Sequence, residues 1–399
     1  MKKSIVLMAM AGVALAGCVN DVADVVQKNE KVKIAFDSPV MYNNANSRAE
    51  VYGEIGNVVV DGVTYSYPQE ENFIIYAMGH ENAFAGWNGG SLADFSGDVL
   101  EYDERVNGWA PMHGSGYYYW NSSKKITYAA TSPADLEQTN WGGTDKRTYG
   151  ATGLTIPDFE VSSDASHQFD LLFSTRQCNK TSGDMSHGAD NYSGLPILFQ
   201  HALSSVRFSI SNKSGEELYL KSITLGGVKY KGTFQENIDE NTANYAQYVR
   251  GDNGNVNPEW NVTSDIITSP YQAFTGSVKF LEEPRYVSQL SAADPTNVCN
   301  QLLLMPQQLP DDAYVEVVYT VNTKENTKNV KLKDLKTVVK KTVGGVTTEE
   351  VGPPITKWEI GKRYTYRLVY STASSAKDKI YFAPTTEGWN DVDVIVVPL

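Results

Sequence analysis

The residues able to do chemistry in this 399-residue chain are scattered. Its five histidines, His80, His113, His167, His187 and His201, lie far apart. None stands in an HExxH motif or at a metal-ligand spacing from a cysteine. No G-x-S-x-G elbow, P-loop or dinucleotide fingerprint occurs in a strand–helix setting. His201 lies in the apolar strand-like run from Ile197 to Ile210, which predicts a packed, hydrogen-bonded ring. The acidic pairs Glu70-Glu71 and Asp103-Glu104 read as solvated charges rather than as a catalytic carboxylate pair. Trp87, Trp109, Tyr117, Tyr118 and Tyr119 could stack on a sugar, with core or loop packing as the competing role. No catalytic residue, cofactor or metal is expected, so an enzyme such as a secreted hydrolase lacks its catalytic cluster.

Two positions suggest covalent processing instead. Arg48-Ala49 ends a polar, turn-rich run that includes Asp37-Ser38-Pro39 and Asn43-Asn44-Ala45-Asn46-Ser47. A flexible loop with one arginine is the kind of segment that a trypsin-like protease nicks. Cys18 follows Leu15-Ala16-Gly17, at the end of a basic Met1-Lys2-Lys3 start and an apolar stretch from Ile5 to Ala16. That stretch is too short to span a membrane. Small residues before a cysteine in this place resemble the lipobox of bacterial lipoproteins. That resemblance implies removal of residues 1–17 and acylation of Cys18, an anchor stabilised by about 0.8 kcal/mol per buried CH₂. An ordinary secretory signal with an incidental cysteine is the alternative.

The elements around these positions read as strands. Val32, Ile34 and Phe36 alternate with Lys31 and Lys33, the period-2 mark of a half-buried strand. If the chain is cut after Arg48, this strand can leave, and a sheet is left with an unfilled edge; an uncut loop beside an ordinary edge strand is the other reading. Asp61-Gly62 joins two β-prone runs as in a tight hairpin. Strand-like runs recur at Phe73–Met78, Gly116–Trp120, Lys125–Ala130, Gln168–Ser174, Ile197–Ile210, Leu218–Leu225, Gln301–Met305, Tyr314–Val321 and Arg363–Tyr370. A charged, valine-rich segment over 322–350 suggests a long hairpin around Gly344-Gly345. Long helical periodicities are missing, so the expected fold is all-β, two β-sandwiches in tandem. The loop Lys180–Gly194 sets the boundary, with domains over 49–195 and 196–399 after a signal peptide (1–17) and a propeptide (18–48).

The chain ends in Val392, Val394 and Val396 on one face and Ile395, Val397 and Leu399 on the other. A strand apolar on both faces invites edge pairing unless it is fully buried, at home or in another subunit. Burying about five such side chains is worth roughly 8–15 kcal/mol gross, much of it offset by the entropy of ordering. Donor-strand complementation uses this physics.

Charge and cysteines narrow the partners. There are 34 basic and 47 acidic residues. Residues 1–48 hold six basic and four acidic of these, so the remainder carries 28 against 43, a net of −15. Nucleic acid and anionic membranes are poor partners for such a surface. Beyond Cys18 there are two distant cysteines, Cys178 and Cys299, weak ground for a disulfide.

Taken in order, these features resemble the fimbrillins, subunits of the type V pili of Bacteroidetes. The resemblance rests on the lipobox at Cys18, the short strand before Ser47-Arg48-Ala49, and Tyr67-Pro68 leading into Phe73–Ala77. It rests further on Tyr118-Tyr119-Trp120 leading to Ala129-Ala130-Thr131-Ser132-Pro133, on the run Phe199–Phe208, on Trp358–Tyr366 and on the closing Trp389 segment. It implies two transthyretin-like β-sandwiches and an outer-membrane lipoprotein precursor cut after Arg48 by an arginine-specific protease. Cutting would release Cys18 with its transient lipid anchor and the Val32–Phe36 strand. The Val392–Leu399 segment of another copy, or of a related pilus subunit, would then fill the groove, in a fimbria supporting adhesion to a host glycan or protein. A resident surface lipoprotein, either a pilus anchor or a glycan-binding protein, is the alternative; it would keep Cys18 and have no use for Arg48.

Overall fold

The structure, a computed structural model, describes residues 36, 40–41, 59–60, 63–64, 71–82, 84–87, 96–111, 124–136, 138–174, 176–187, 193–195, 197–239, 258–290, 297–343, 346–371 and 379–385. Among these the protein is all-β, with short 3-10 turns between strands.

The N-terminal sheet runs in the order Val40–Met41, Leu198–His201, Leu172–Ser174, Lys125–Ser132, Phe73–His80, Ser96–Asp103, Gly108–Pro111. Period-2 alternation explains why its central strand is apolar throughout. Phe73, Ile75 and Ala77 face one core cluster, while Ile74 and Tyr76 face a second, larger one. The strand Lys125–Ser132 turns Ile126, Tyr128 and Ala130 toward the first cluster. The hairpin read at Asp61-Gly62 is present, with Val59 opposite Thr64 and Val60 opposite Val63.

Two five-stranded sheets follow. In one, Ser204–Asn212 pairs parallel with Arg363–Ser371 over eight positions, Ser205↔Arg363 to Asn212↔Tyr370. In the other, Leu218–Gly226 lies between Tyr271–Lys279 and Tyr314–Val321. Both feed one core, where Phe208 and Ile210 join Leu220, Ile223, Val315 and Val317. Tyr364, Tyr366, Leu368 and Tyr370 share a buried face, as their alternation predicts. Lys336–Val343 and Val346–Pro354 form the antiparallel hairpin expected around Gly344-Gly345.

Two expected runs differ in detail. Gln168–Ser174 contains a strand only at Leu172–Ser174, because Gln168 is spent on capping: its amide donates to the Ser162 carbonyl and accepts from Leu303 N–H. The Ile197–Ile210 run is two strands. Leu198–His201 belongs to the N-terminal sheet and Ser204–Asn212 to the next, with the changeover at Ala202-Leu203. There Ala202 N–H donates to Leu171 and Leu203 C=O accepts from Gly361. A further four-stranded sheet pairs Thr148–Gly150 and Gly153–Glu160 with Lys231–Gln235 and Glu259–Val262, so it draws strands from both sides of position 195/196.

Candidate functional site

The first and last members of the N-terminal sheet meet at residues 36–41. Phe36 bridges antiparallel to Trp109, in the terminal strand Gly108–Pro111, and parallel to Leu195, just before Leu198–His201. Its N–H donates to the Trp109 carbonyl (2.7 Å) and its carbonyl accepts from Trp109 N–H (2.8 Å). Four residues on, Val40 and Met41 pair parallel with Leu198 and Phe199. Phe36, Val40 and Met41 therefore engage both edges of this sheet.

The gap it fills is aromatic. The Phe36 side chain is fully buried, edge-on to the Tyr128 ring at 5.2 Å. Phe73 packs beside it against Phe199 (5.7 Å) and Trp109 (6.3 Å), and Leu172, Leu195 and Ile197 complete the lining. Trp109 is fixed by its indole N–H, which donates to the Glu71 carbonyl at 3.1 Å, and by Tyr102 stacked edge-on at 5.3 Å. Burying one phenylalanine here is worth about 1.5–3 kcal/mol. Such a lining is shaped for an extended apolar segment.

Of the processing and strand-exchange residues singled out in the sequence, Phe36 is the one whose place is described, and its ring fills this gap. Cys18, Val32, Ile34, Arg48, Ala49, Val392, Val394, Ile395, Val396, Val397 and Leu399 lie outside the described residues, as do Tyr117, Tyr118, Tyr119 and His113. Trp109 is core. Trp87 packs edge-on against Tyr149 at 4.8 Å. His201 is hydrogen-bonded through Nδ1 to the buried Asp170 carboxylate at 2.9 Å, the packed ring its setting predicts. Asp103, expected in solvent, is instead buried, because its carboxylate folds back onto the Arg105 backbone N–H and Nε. Cys178 and Cys299 are not bonded to each other.

Asp164, Ser166 and His167 have the residue types of a hydrolytic triad but not its wiring. Ser166 Oγ donates to Asp164 (2.7 Å), and His167 Nδ1 contacts both Ser166 and Asp164. A relay needs the serine and the acid on opposite ring nitrogens; this is an exposed turn capped by Asp164. Among the described residues no group of three His, Cys, Asp or Glu could hold a metal.

Sequence reasoning missed Val40–Met41 and Leu195 as parts of the gap. No local signal marks them, since their partners lie about 160 residues away in the chain.

No curated protein matches the sequence. Among solved structures, the chain is similar to a fimbrial protein of Bacteroides vulgatus, at 16% identity and a TM-score of 0.48, with 90% of this chain and 99% of that one covered. It is also similar to a proposed cell adhesion protein of Bacteroides uniformis, at 10% identity and a TM-score of 0.45, with 90% and 99% covered. The sequence profile of the fimbrillin-like proteins matches residues 71–389, most of its length. This chain belongs to the fimbrillin-like family.

Proposed function

We propose that this protein is a structural subunit of a cell-surface fimbria that polymerises by strand exchange. Family membership supports a fimbrial-type surface protein and favours a structural role. The finer mechanism is supported chiefly by one observation: Phe36, Val40 and Met41 engage both edges of the N-terminal sheet, and the Phe36 ring is buried between them. In this reading Cys18 is lipidated and the precursor reaches the outer membrane surface. An arginine-specific protease cuts between Arg48 and Ala49, and the segment carrying Val32, Ile34 and Phe36 is then free to be displaced. The opened gap then takes Val392–Leu399 of the next subunit, which supplies apolar side chains on both faces and a full set of backbone partners. Two tandem transthyretin-like sandwiches carry the donor and acceptor ends, and the assembled fibre supports adhesion.

The test is intact-mass and N-terminal analysis of protein recovered from the cell surface, beside the variant Arg48→Ala. A lipid-free species starting at Ala49, running as a ladder of multimers that the variant lacks, is the expected result. A species starting at an acylated Cys18 with no ladder would replace this reading with a resident lipoprotein. Polymers of normal length from Arg48→Ala would end it.

A further inference from the structure

Glu236 directly follows the strand Lys231–Gln235 and is fully buried. Its N–H donates to the Leu154 carbonyl (3.0 Å), and its Oε2 accepts from Leu154 N–H (2.8 Å), so one residue holds both backbone groups of Leu154. Its Oε1 is buried with no hydrogen-bond partner among the described residues. Gly153, with φ +89°, leaves room for the carboxyl: a Cβ there would stand 2.3 Å from Oε2.

We infer that Glu236 is a pH-sensitive latch, which when protonated clasps Gly153–Glu160 to Lys231–Gln235 and on ionising loosens the sheet shared across position 195/196. The ionisable groups packed around it are Arg176, Tyr149 and, beyond Tyr149, Cys178. Arg176 donates to the carbonyls of Gly150 (2.7 Å) and Ala151 (3.0 Å) and to the Tyr149 hydroxyl (3.1 Å). Its guanidinium lies 5.3–5.6 Å from the ring centres of Phe84, Trp87 and Tyr149. Arg176 thus holds the same 148–160 hairpin from the side of the N-terminal sheet, while Glu236 holds it from the strand after residue 230. Burial pushes the Tyr149 phenol far up, so it stays neutral at physiological pH.

Burial also pushes the Glu236 carboxyl up to about 7, against the opposing pull of Leu154 N–H and Arg176. A buried neutral carboxyl is tolerated, whereas a buried carboxylate with one bare oxygen is costly. Because the folded value lies above the unfolded one, the contribution is fully present below the ordinary carboxylate range and is lost as pH rises through about 7.

The experiment is chemical unfolding of the full chain at pH 5 and pH 8, as wild type and as Glu236→Gln, with hydrogen exchange read at residues 153–160. The wild type should lose more of its folding equilibrium constant between the two pH values than the variant does. The excess is on the order of a hundredfold, about 3 kcal/mol at 1.36 kcal/mol per pKa unit. Exchange of Leu154 should be faster than in the variant at pH 8 and equal to it at pH 5. Parallel profiles for the two proteins would overturn the latch. Should the variant fail to fold, infrared spectra of the wild type decide: a protonated-carboxyl C=O band that persists at pH 6 and fades through pH 7 supports it, and no such band at pH 6 overturns it.

Discussion

The segment at residues 36–41 and the strand Arg363–Ser371 both complete a sheet, yet they are held very differently. Arg363–Ser371 is paired on both sides, by eight parallel positions with Ser204–Asn212 and seven antiparallel positions with Lys379–Thr385. It buries Tyr364, Tyr366, Leu368 and Tyr370 in one continuous core. The 36–41 segment touches one edge through Phe36 and the other through Leu195, Leu198 and Phe199, and it belongs to a smaller cluster. Among the described residues both use a buried aromatic anchor, but Arg363–Ser371 lies inside one continuous ladder, whereas Phe36, Val40 and Met41 meet two separate edges of one sheet. A part that is to be exchanged must open locally at a cost below that of global unfolding.

Substitutions can break or sharpen this contrast. The largest effect is expected from Tyr366→Ala. Its ring is fully buried and stacked 5.7 Å from Phe208, and its hydroxyl accepts from the Trp358 indole N–H at 3.0 Å. A loss of about 3–5 kcal/mol is expected in chemical unfolding, with cooperativity lost across the C-terminal sheets. Phe36→Ala removes a side chain equally buried, but its cost is capped by the free energy of releasing the segment, about 2–3 kcal/mol on burial grounds. Hydrogen exchange should quicken at 108–111 and 198–201 and stay unchanged at 363–371. Loss of protection at 363–371 as well would show the two regions to be one cooperative unit. The smallest effect belongs to Tyr102→Phe, which deletes a hydroxyl donating to Asn107 Oδ1 at 3.1 Å and keeps the ring against Trp109. About 0.5–1.5 kcal/mol is expected, with exchange around Phe36 unaltered.

How much of this was legible in the sequence depends on whether local period or distant pairing decides. The strands at 73–80, 125–132, 314–321 and 363–371 follow from their own apolar runs and alternation. The strands Ser96–Asp103 and Gly153–Glu160 were not read, because their glycines, prolines and aspartates look like turn residues until a neighbouring strand pairs them. The Ile197–Ile210 run looks continuous, since the bend at Ala202-Leu203 comes from hydrogen bonds to Leu171 and Gly361, far off in sequence. The alternation over Val32–Phe36 predicts a strand; of that run Phe36 alone is described, as a buried residue bridged to Trp109 and Leu195. That it closes a gap between two edges was beyond local reading, because Trp109 and Leu195 are brought together only by the fold. Glu236 carried no signal either: a lone acid after a polar strand reads as solvated, and only tertiary packing buries it.

The most direct test of the central claim uses the full chain cut after Arg48 by an arginine-specific protease, followed by native mass spectrometry with a synthetic peptide of residues 386–399. The account predicts that the N-terminal fragment stays bound after the cut and is displaced one-for-one by the peptide. It further predicts that peptide capture is weakened by Trp109→Ala. A fragment that resists displacement by excess peptide, or a peptide that binds equally with the fragment in place, would contradict it.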